Sequence, residues 1–225
     1  MKKKILIIVS HPDDEILGCG GAINHHLKKK DDIFIYFTHE CSSFRFDNKK
    51  DKRISIENKK REDKAKKLAK DFNYKILGFG NNINLDTINI NHLKNVKKII
   101  ELINKIKPDI MYTHYDKDLN PDHFFANKFV ITACRPTNFL VKKIYLMEVP
   151  SSTDWNISDT FKPNFFLKID LKVKQKMMNY YKSEMKNKPH PTSFKNIEAL
   201  SRFRGGQAGI EYAEAFMVYR EIDNS

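Results

Sequence analysis

The sequence predicts an α/β fold: a mostly parallel, Rossmann-like sheet with helices on both faces. Three observations predict it. Short apolar runs of strand composition alternate with helical segments over the first two-thirds of the chain. The runs are continuously apolar, as in Ile5–Val9 and "IFIYFT" (33–38), which fits strands covered on both sides. Polar clusters follow two of the strands, at the carboxyl ends where open parallel sheets bind ligands.

Taken in order, Lys4–Val9 reads as the first strand. Glu15–Lys29 reads as a helix carrying Ile16, Ala22, Ile23 and Leu27. Ile33–Thr38 is the second strand, and Ile54–Phe72 a helix with Leu68 and Phe72 four apart on one side. Tyr74–Phe79 is a third strand, His92–Lys107 a helix stopped by Pro108, and Asp109–His114 a fourth strand. Pro121–Ala133 opens with proline just inside a helix, its favoured place. Ile144–Val149 is a fifth strand, Ser151–Pro163 a loop and Phe165–Ile169 a strand. Leu171–Lys186 is a helix, "NKPHPTSF" (187–194) a loop and Ile197–Arg204 a short helix. The segment "EYAEAFMVYREI" (211–222) fits strand and helix alike. No repeat or composition break divides the chain. Residues 1–225 therefore read as one domain whose irregular last third, 151–225, covers the substrate side.

Forty per cent apolar and twelve per cent aromatic residues suit a globular core in a chain of 225. The run Ile5–Val9 is far below the roughly 20 residues that span a bilayer, and no small-residue cleavage site follows it. Neither membrane insertion nor a signal peptide is expected. Cys19, Cys41 and Cys134 are scattered without CxxC spacing and read as reduced thiols of a cytoplasmic protein. The net charge of +13 is concentrated in a lysine-rich stretch, 49–70, with interleaved acids. That stretch reads as a solvated helix face, not a nucleic-acid patch, although the positive field favours an anionic substrate. The lysine-rich, cysteine-poor composition points towards a bacterial enzyme of glycan or secondary metabolism.

The first polar cluster is "HPDDE" (11–15) and the second "THYDKDLNPDH" (113–123). Two distant segments thus deliver histidine and aspartate to one edge of the sheet, as a mononuclear metal site requires. Imidazole and carboxylate suit zinc, which in catalytic sites keeps three protein ligands and one open position. A cation also explains adjacent Asp13 and Asp14: one carboxylate can bind it while the other serves as base. Glu15 fits the first turn of the following helix, where the dipole favours an acid. Either cluster alone is equally well a turn and a helix cap; the two together at strand ends are not.

These residues resemble the LmbE-like (PIG-L) family of zinc-dependent N-acetyl sugar de-N-acetylases. The resemblance lies in "ILIIVSHPDDEILGCGGAI" and "THYDKDLNPDH", with weaker support from "YYKSE" (180–184) and "RGGQAGIEYAEAF" (204–216). It implies an LmbE-like fold and one Zn2+ per chain, held by His11, Asp14 and His123, with Asp13 as general base. It also implies hydrolysis of an N-acetylated amino sugar or of its nucleotide, lipid or glycoside conjugate, phosphate-bearing ones included. Many members carry a histidine three positions before the last ligand, as donor or acid; here Asn120 stands there, able to donate a hydrogen bond but not a proton. His114, ending the fourth strand, is the next histidine to consider for catalysis. Asp116, Asp118 and Asp122 are candidates to orient the ligating imidazoles, and Arg61 to contact sugar or phosphate.

His39 and Cys41 follow the second strand on the ligand edge, and His39 is a second candidate for touching substrate. His25 and His26 lie among lysines and read as surface residues. Gly18, Gly20 and Gly21 lack the third glycine of a dinucleotide fingerprint and more simply allow close helix–strand packing. Trp155 and His190 are candidates for a wall facing the substrate. Two alternative functions stay open: a metal-dependent phosphoesterase, and a basic anion-binding protein with a vestigial site. The sequence allows a homo-oligomer.

Overall fold

The computed structural model describes residues 2–40, 42, 46, 48, 51–82, 85–136 and 139–223, with backbone alone for 81, 82 and 85–91. Strands β1 (Lys4–Val9), β2 (Asp32–His39), β3 (Lys75–Asn82), β4 (Ile110–His114), β5 (Lys143–Met147), β6 (Phe165–Lys168) and β7 (Ala213–Glu221) form one seven-stranded sheet. Its order is β3-β2-β1-β4-β5-β7-β6. The first five strands are parallel, and β7 runs antiparallel to both β5 and β6. The sequence expectation of a mostly parallel α/β sheet therefore holds, with an antiparallel edge built by the last third of the chain.

Period-two alternation along β1 divides the core. Ile5, Ile7 and Val9 face one layer with Ile16, Ile23 and Leu68, from helices α1 (Asp14–Lys28) and α2 (Lys52–Phe72). Leu6 and Ile8 face the opposite layer with Ile99, Ile103 and Phe129, from α3 (Leu85–Ile106) and α4 (Pro121–Ala133). Both sides of β1 are fully buried, which is why its sequence is apolar without interruption. The strand order reverses between β2–β1 and β4, so the carboxyl ends of β1 and β4 flank the crevice at the switch point of the sheet.

Several sequence expectations are corrected. The helix expected over 171–186 is only α5 (Leu171–Met178), followed by a single 3-10 turn, Asn179–Tyr181. There the Tyr181 ring, fully buried, pulls the chain inward and ends the regular helix. The last helix, α6 (Phe194–Gln207), runs longer than 197–204, because Ser193 caps it by accepting the Asn196 N–H. Residues 211–222 contain the strand β7, not a helix. His26, expected at the surface, is buried; its ring lies 2.8 Å from Asp31 and 3.0 Å from the Tyr112 hydroxyl. Cys41 and residues 49 and 50 of the charged stretch lie outside the described residues. Most of that stretch forms α2, where the pairs Lys60–Glu57 and Lys66–Glu62 lie on its polar side.

The glycines of α1 act by closeness, not by backbone freedom. A Cβ on Gly18 would meet Met147 Sδ at 2.5 Å, and one on Gly21 would meet Ile169 Cβ at 2.7 Å. A buried ion pair then locks α1 to the antiparallel edge. Glu214 of β7 accepts the Gly21 and Ala22 N–H groups, and Lys174 donates to both Glu214 and the Leu17 carbonyl. Among the described residues no helix is long and apolar enough to cross a membrane.

Candidate metal centre

Two loops build the centre, one after β1 and one after β4. They are stitched together where the Ser10 N–H donates to His114 Nε2 at 2.9 Å. The His11 N–H donates to Asp14 Oδ2 at 2.8 Å, which curls the first loop tightly into α1. In the second loop Asn120 caps α4, its side-chain carbonyl accepting the Asp122 N–H at 2.9 Å, with Pro121 in the first helical turn. His123 thereby sits one turn into α4, facing back towards Asp14.

His11, Asp14 and His123 converge: one ligand atom from each lies within 4.8 Å of the others. Asp14 Oδ2 is 3.4 Å from His11 Nδ1 and 3.3 Å from His123 Nε2. The far nitrogen of each ring meets a carboxylate, His11 Nε2 at 3.0 Å from Asp122 and His123 Nδ1 at 3.3 Å from Asp118. Ser152 Oγ also stands 3.2 Å from His123 Nδ1, and both Ser152 and Thr153 donate to Asp118. Carboxylates behind the rings fix which nitrogen of each ring is turned towards Asp14, where a metal would need its lone pair, the usual support of a metal-binding histidine. Two imidazoles and a carboxylate arranged in this way fit a zinc-type ion with an open coordination position.

The electrostatics favour positive charge at this point. Burial lowers His11, but its hydrogen bonds to Asp122 and Asp14 outweigh that and raise it to about 9. Burial likewise opposes the proton on His123, yet Asp14 and Asp118 lift it well above the usual imidazole range. Burial would raise Asp14; the charge of His123 and the hydrogen bonds from both rings hold it well below the ordinary carboxylate range.

Asp13 behaves differently. It occupies the N-cap of α1 at φ 130°, a conformation that strains any residue with a Cβ, and its side chain makes no capping bond. Burial pushes its carboxyl up to about 7, with Arg61 opposing and Asp14 reinforcing the rise. Neighbouring Glu15 is wholly buried and accepts the Asp13 N–H at 2.8 Å and the Tyr181 hydroxyl at 2.6 Å. Burial drives Glu15 to about 8 against the pull of those donors. Glu15 lies in the first turn of α1, as the sequence leads one to expect; its bond to Tyr181 is not foreseen there, since a partner 166 residues away leaves no local signal.

A cavity of about 590 Å³ opens over the centre, lined by His11, Asp13, Asp14, Asn120, Asp122 and His123 from the two loops. Arg61 of α2 and Glu184 border it and form an ion pair. Trp155 and His190 form the outer wall, ring centroids 5.4 Å apart, with Trp155 53% exposed.

Three sequence candidates stand elsewhere. His114 does not line this cavity: Ser10 captures its Nε2, and its ring stacks on His123 at 4.0 Å. Burial, reinforced by the charge of His123, keeps it neutral, well below the usual imidazole range. His39 lies behind the wall, its Nδ1 2.7 Å from the Thr38 hydroxyl and its Nε2 3.9 Å from Asp122. Burial lowers it to about 3. Its place on the ligand edge is as expected, but the ring is buried in the protein and does not line the cavity. Asp116 is half-buried and, among the described residues, pairs with neither His11 nor His123; Asp118 takes that place for His123 and Asp122 for His11.

Residues 6–134 match the family profile described as PIG-L, GlcNAc-PI de-N-acetylase. In fold the chain is similar to a conserved protein of Thermus thermophilus, with 18% identity, TM-score 0.71 and coverage of 99% of this chain and 97% of that one. It is similar to N,N'-diacetylchitobiose deacetylase from Pyrococcus horikoshii, with 19% identity, TM-score 0.73 and coverage of 96% and 83%. It is also similar to GalB, the 4-carboxy-2-hydroxymuconate hydratase of Pseudomonas putida KT2440, with 16% identity, TM-score 0.72 and coverage of 100% and 99%.

Proposed function

The chain belongs to the PIG-L (GlcNAc-PI de-N-acetylase) family, which matches more than half of its length, and from that premise we propose that it is a metal-dependent hydrolase removing acetyl from an N-acetylated amino sugar. The sugar is free or carried on a nucleotide, lipid or glycoside. One observation carries the reading: His11, Asp14 and His123 converge on the wall of the same cavity that receives the uncapped carboxylate of Asp13.

In this reading His11, Asp14 and His123 hold one Zn2+ per chain. When bound, the ion supplies a Lewis acid that acidifies a water and polarises the acetyl carbonyl. Asp122 and Asp118 keep the two rings aimed. Asp13 takes the proton of the attacking water, and burial suits it to that task by bringing it to about 7. The same carboxyl then returns the proton to the departing amine, because no histidine reaches the cavity from position 120 or 114. Asn120 has its carbonyl committed to the Asp122 N–H, which leaves its NH2 group to donate to the carbonyl oxygen as charge develops there. Arg61 and Glu184 meet sugar hydroxyls, and Trp155 offers a ring face to the part of the substrate beyond the reacting sugar. One domain over 1–225 is part of the same proposal, supported by β6 and β7 joining the sheet of β1.

The test is a screen of N-acetylated sugars and their conjugates, read by liberated primary amine and acetate, alongside metal analysis. The expected result is about one zinc per chain, amine release by the wild type, and zinc retained with turnover lost in Asp13→Asn. Release of phosphate instead of acetate, or full turnover in Asp13→Asn, overturns the proposal.

A further inference from the structure

We propose that Glu15 and Tyr181 are a positioning pair that holds Asp13 in its working pose, a role that rests on the reading of Asp13 as the base. A helix N-cap aspartate ordinarily spends its carboxylate on the N–H groups of the first turn. Here it does not. The backbone of Asp13 sits at φ 130°, its side chain makes no capping bond, and its own N–H is taken by Glu15 Oε2 at 2.8 Å. The other oxygen of Glu15 accepts the Tyr181 hydroxyl at 2.6 Å, deep in the interior. Glu15 is thus gripped from the far side by a residue of the C-terminal third.

The same short segment acts a second time. Three residues after Tyr181, Glu184 pairs with Arg61 at the border of the cavity. The turn 181–184 therefore braces both neighbours of Asp13: Glu15 through a hydroxyl, and Arg61 through a carboxylate. A strained backbone persists only where its surroundings over-determine it, and these are the contacts that do so. Without Glu15 the Asp13 backbone relaxes, and its carboxylate falls back to capping α1.

Three variants separate positioning from general stability: Glu15→Leu, Glu15→Gln and Tyr181→Phe. Glutamine keeps both bonds, its carbonyl accepting the Asp13 N–H and its amide donating to the Tyr181 oxygen. The expected result for Glu15→Leu is a fall in kcat of about 10- to 100-fold, with KM within about twofold and zinc content unchanged. Glu15→Gln recovers to within about threefold of wild type, and Tyr181→Phe falls between the two. Amide hydrogen exchange at Asp13 gives a readout without turnover: protection is lost in Glu15→Leu and kept in Glu15→Gln. Where Glu15→Leu does not fold, Tyr181→Phe and Glu15→Gln decide on the same two readouts. The inference is overturned by unchanged kcat in Glu15→Leu, by a Glu15→Gln variant as slow as the leucine, or by equal Asp13 protection throughout. A wild type with no amine release refutes the deacetylase reading instead, and the exchange measurement still decides whether Glu15 holds Asp13.

Discussion

Replacing Asp122 by asparagine isolates the support behind His11. The carboxylate lies 3.0 Å from His11 Nε2, and the swap keeps the volume and the acceptor while removing the charge. A hydrogen bond to a charged partner contributes about 1.5–3 kcal/mol and one between neutral groups about 0.5–1.5, so the substitution loses on the order of 1–2 kcal/mol. Metal sites stripped of such a partner lose about 10- to 100-fold in affinity, which agrees. The proton complicates the reading. The hydrogen bond to Asp122 helps hold His11 at about 9, so at neutral pH the wild type must expel that proton before His11 can bind a metal. Asp122→Asn eases that expulsion, and the loss is therefore larger above pH 9 than at pH 7. Zinc affinity measured against a competing chromophoric chelator at both pH values checks this. Asp116→Asn is the control, an acid of the same loop that, among the described residues, pairs with neither His11 nor His123. Equal affinities for wild type and Asp122→Asn within about twofold at both pH values, or an equal loss in the control, would refute the reasoning.

Two further outcomes follow from the packing and the charges. Gly21→Ala brings a Cβ against Ile169 Cβ at 2.7 Å and Glu214 Cδ at 3.0 Å, and should cost about 1–3 kcal/mol in urea unfolding; Gly206→Ala, with nothing within 4 Å, should be neutral or stabilising. In chelator, His11 raised to about 9 and Glu15 raised to about 8 both bind protons more tightly when folded. Their stabilisation is complete below the unfolded values and is lost as pH rises through the folded ones, so the melting temperature of metal-free protein should fall between about pH 6.5 and 9. A rise over that window contradicts the assignment.

The fold was legible where the physics is local. An uninterrupted apolar run such as Ile5–Val9 announces a strand covered on both faces, and Pro121 announces the start of a helix. The polar clusters after β1 and β4 were readable because a parallel sheet gathers strand ends at one edge, which also brings His11, Asp14 and His123 near one another. What local pattern does not carry is orientation and distant pairing. His39 and His114 occupy the expected edge, yet one ring turns behind the wall and the other is captured by Ser10. His26 looks solvated among lysines until Asp31 and Tyr112 enclose it. The links from Glu15 to Tyr181 and from Gly21 to Glu214 join residues 166 and 193 positions apart, and no window along the chain contains both ends. The similarity in fold to both a deacetylase and a hydratase shows why the reaction must be argued from side chains.

The sheet order has a consequence during synthesis. β1 is made before the other strands of this sheet, but it lies in the interior, and one of its two neighbours is β4, more than a hundred residues later. Until that neighbour is translated, a ribbon of unbroken Ile, Leu and Val has one edge unpaired, the kind of surface that chaperones recognise. The loop that holds His11 and Asp14 is thus made long before the one that holds His123, and the candidate centre cannot assemble until both are present.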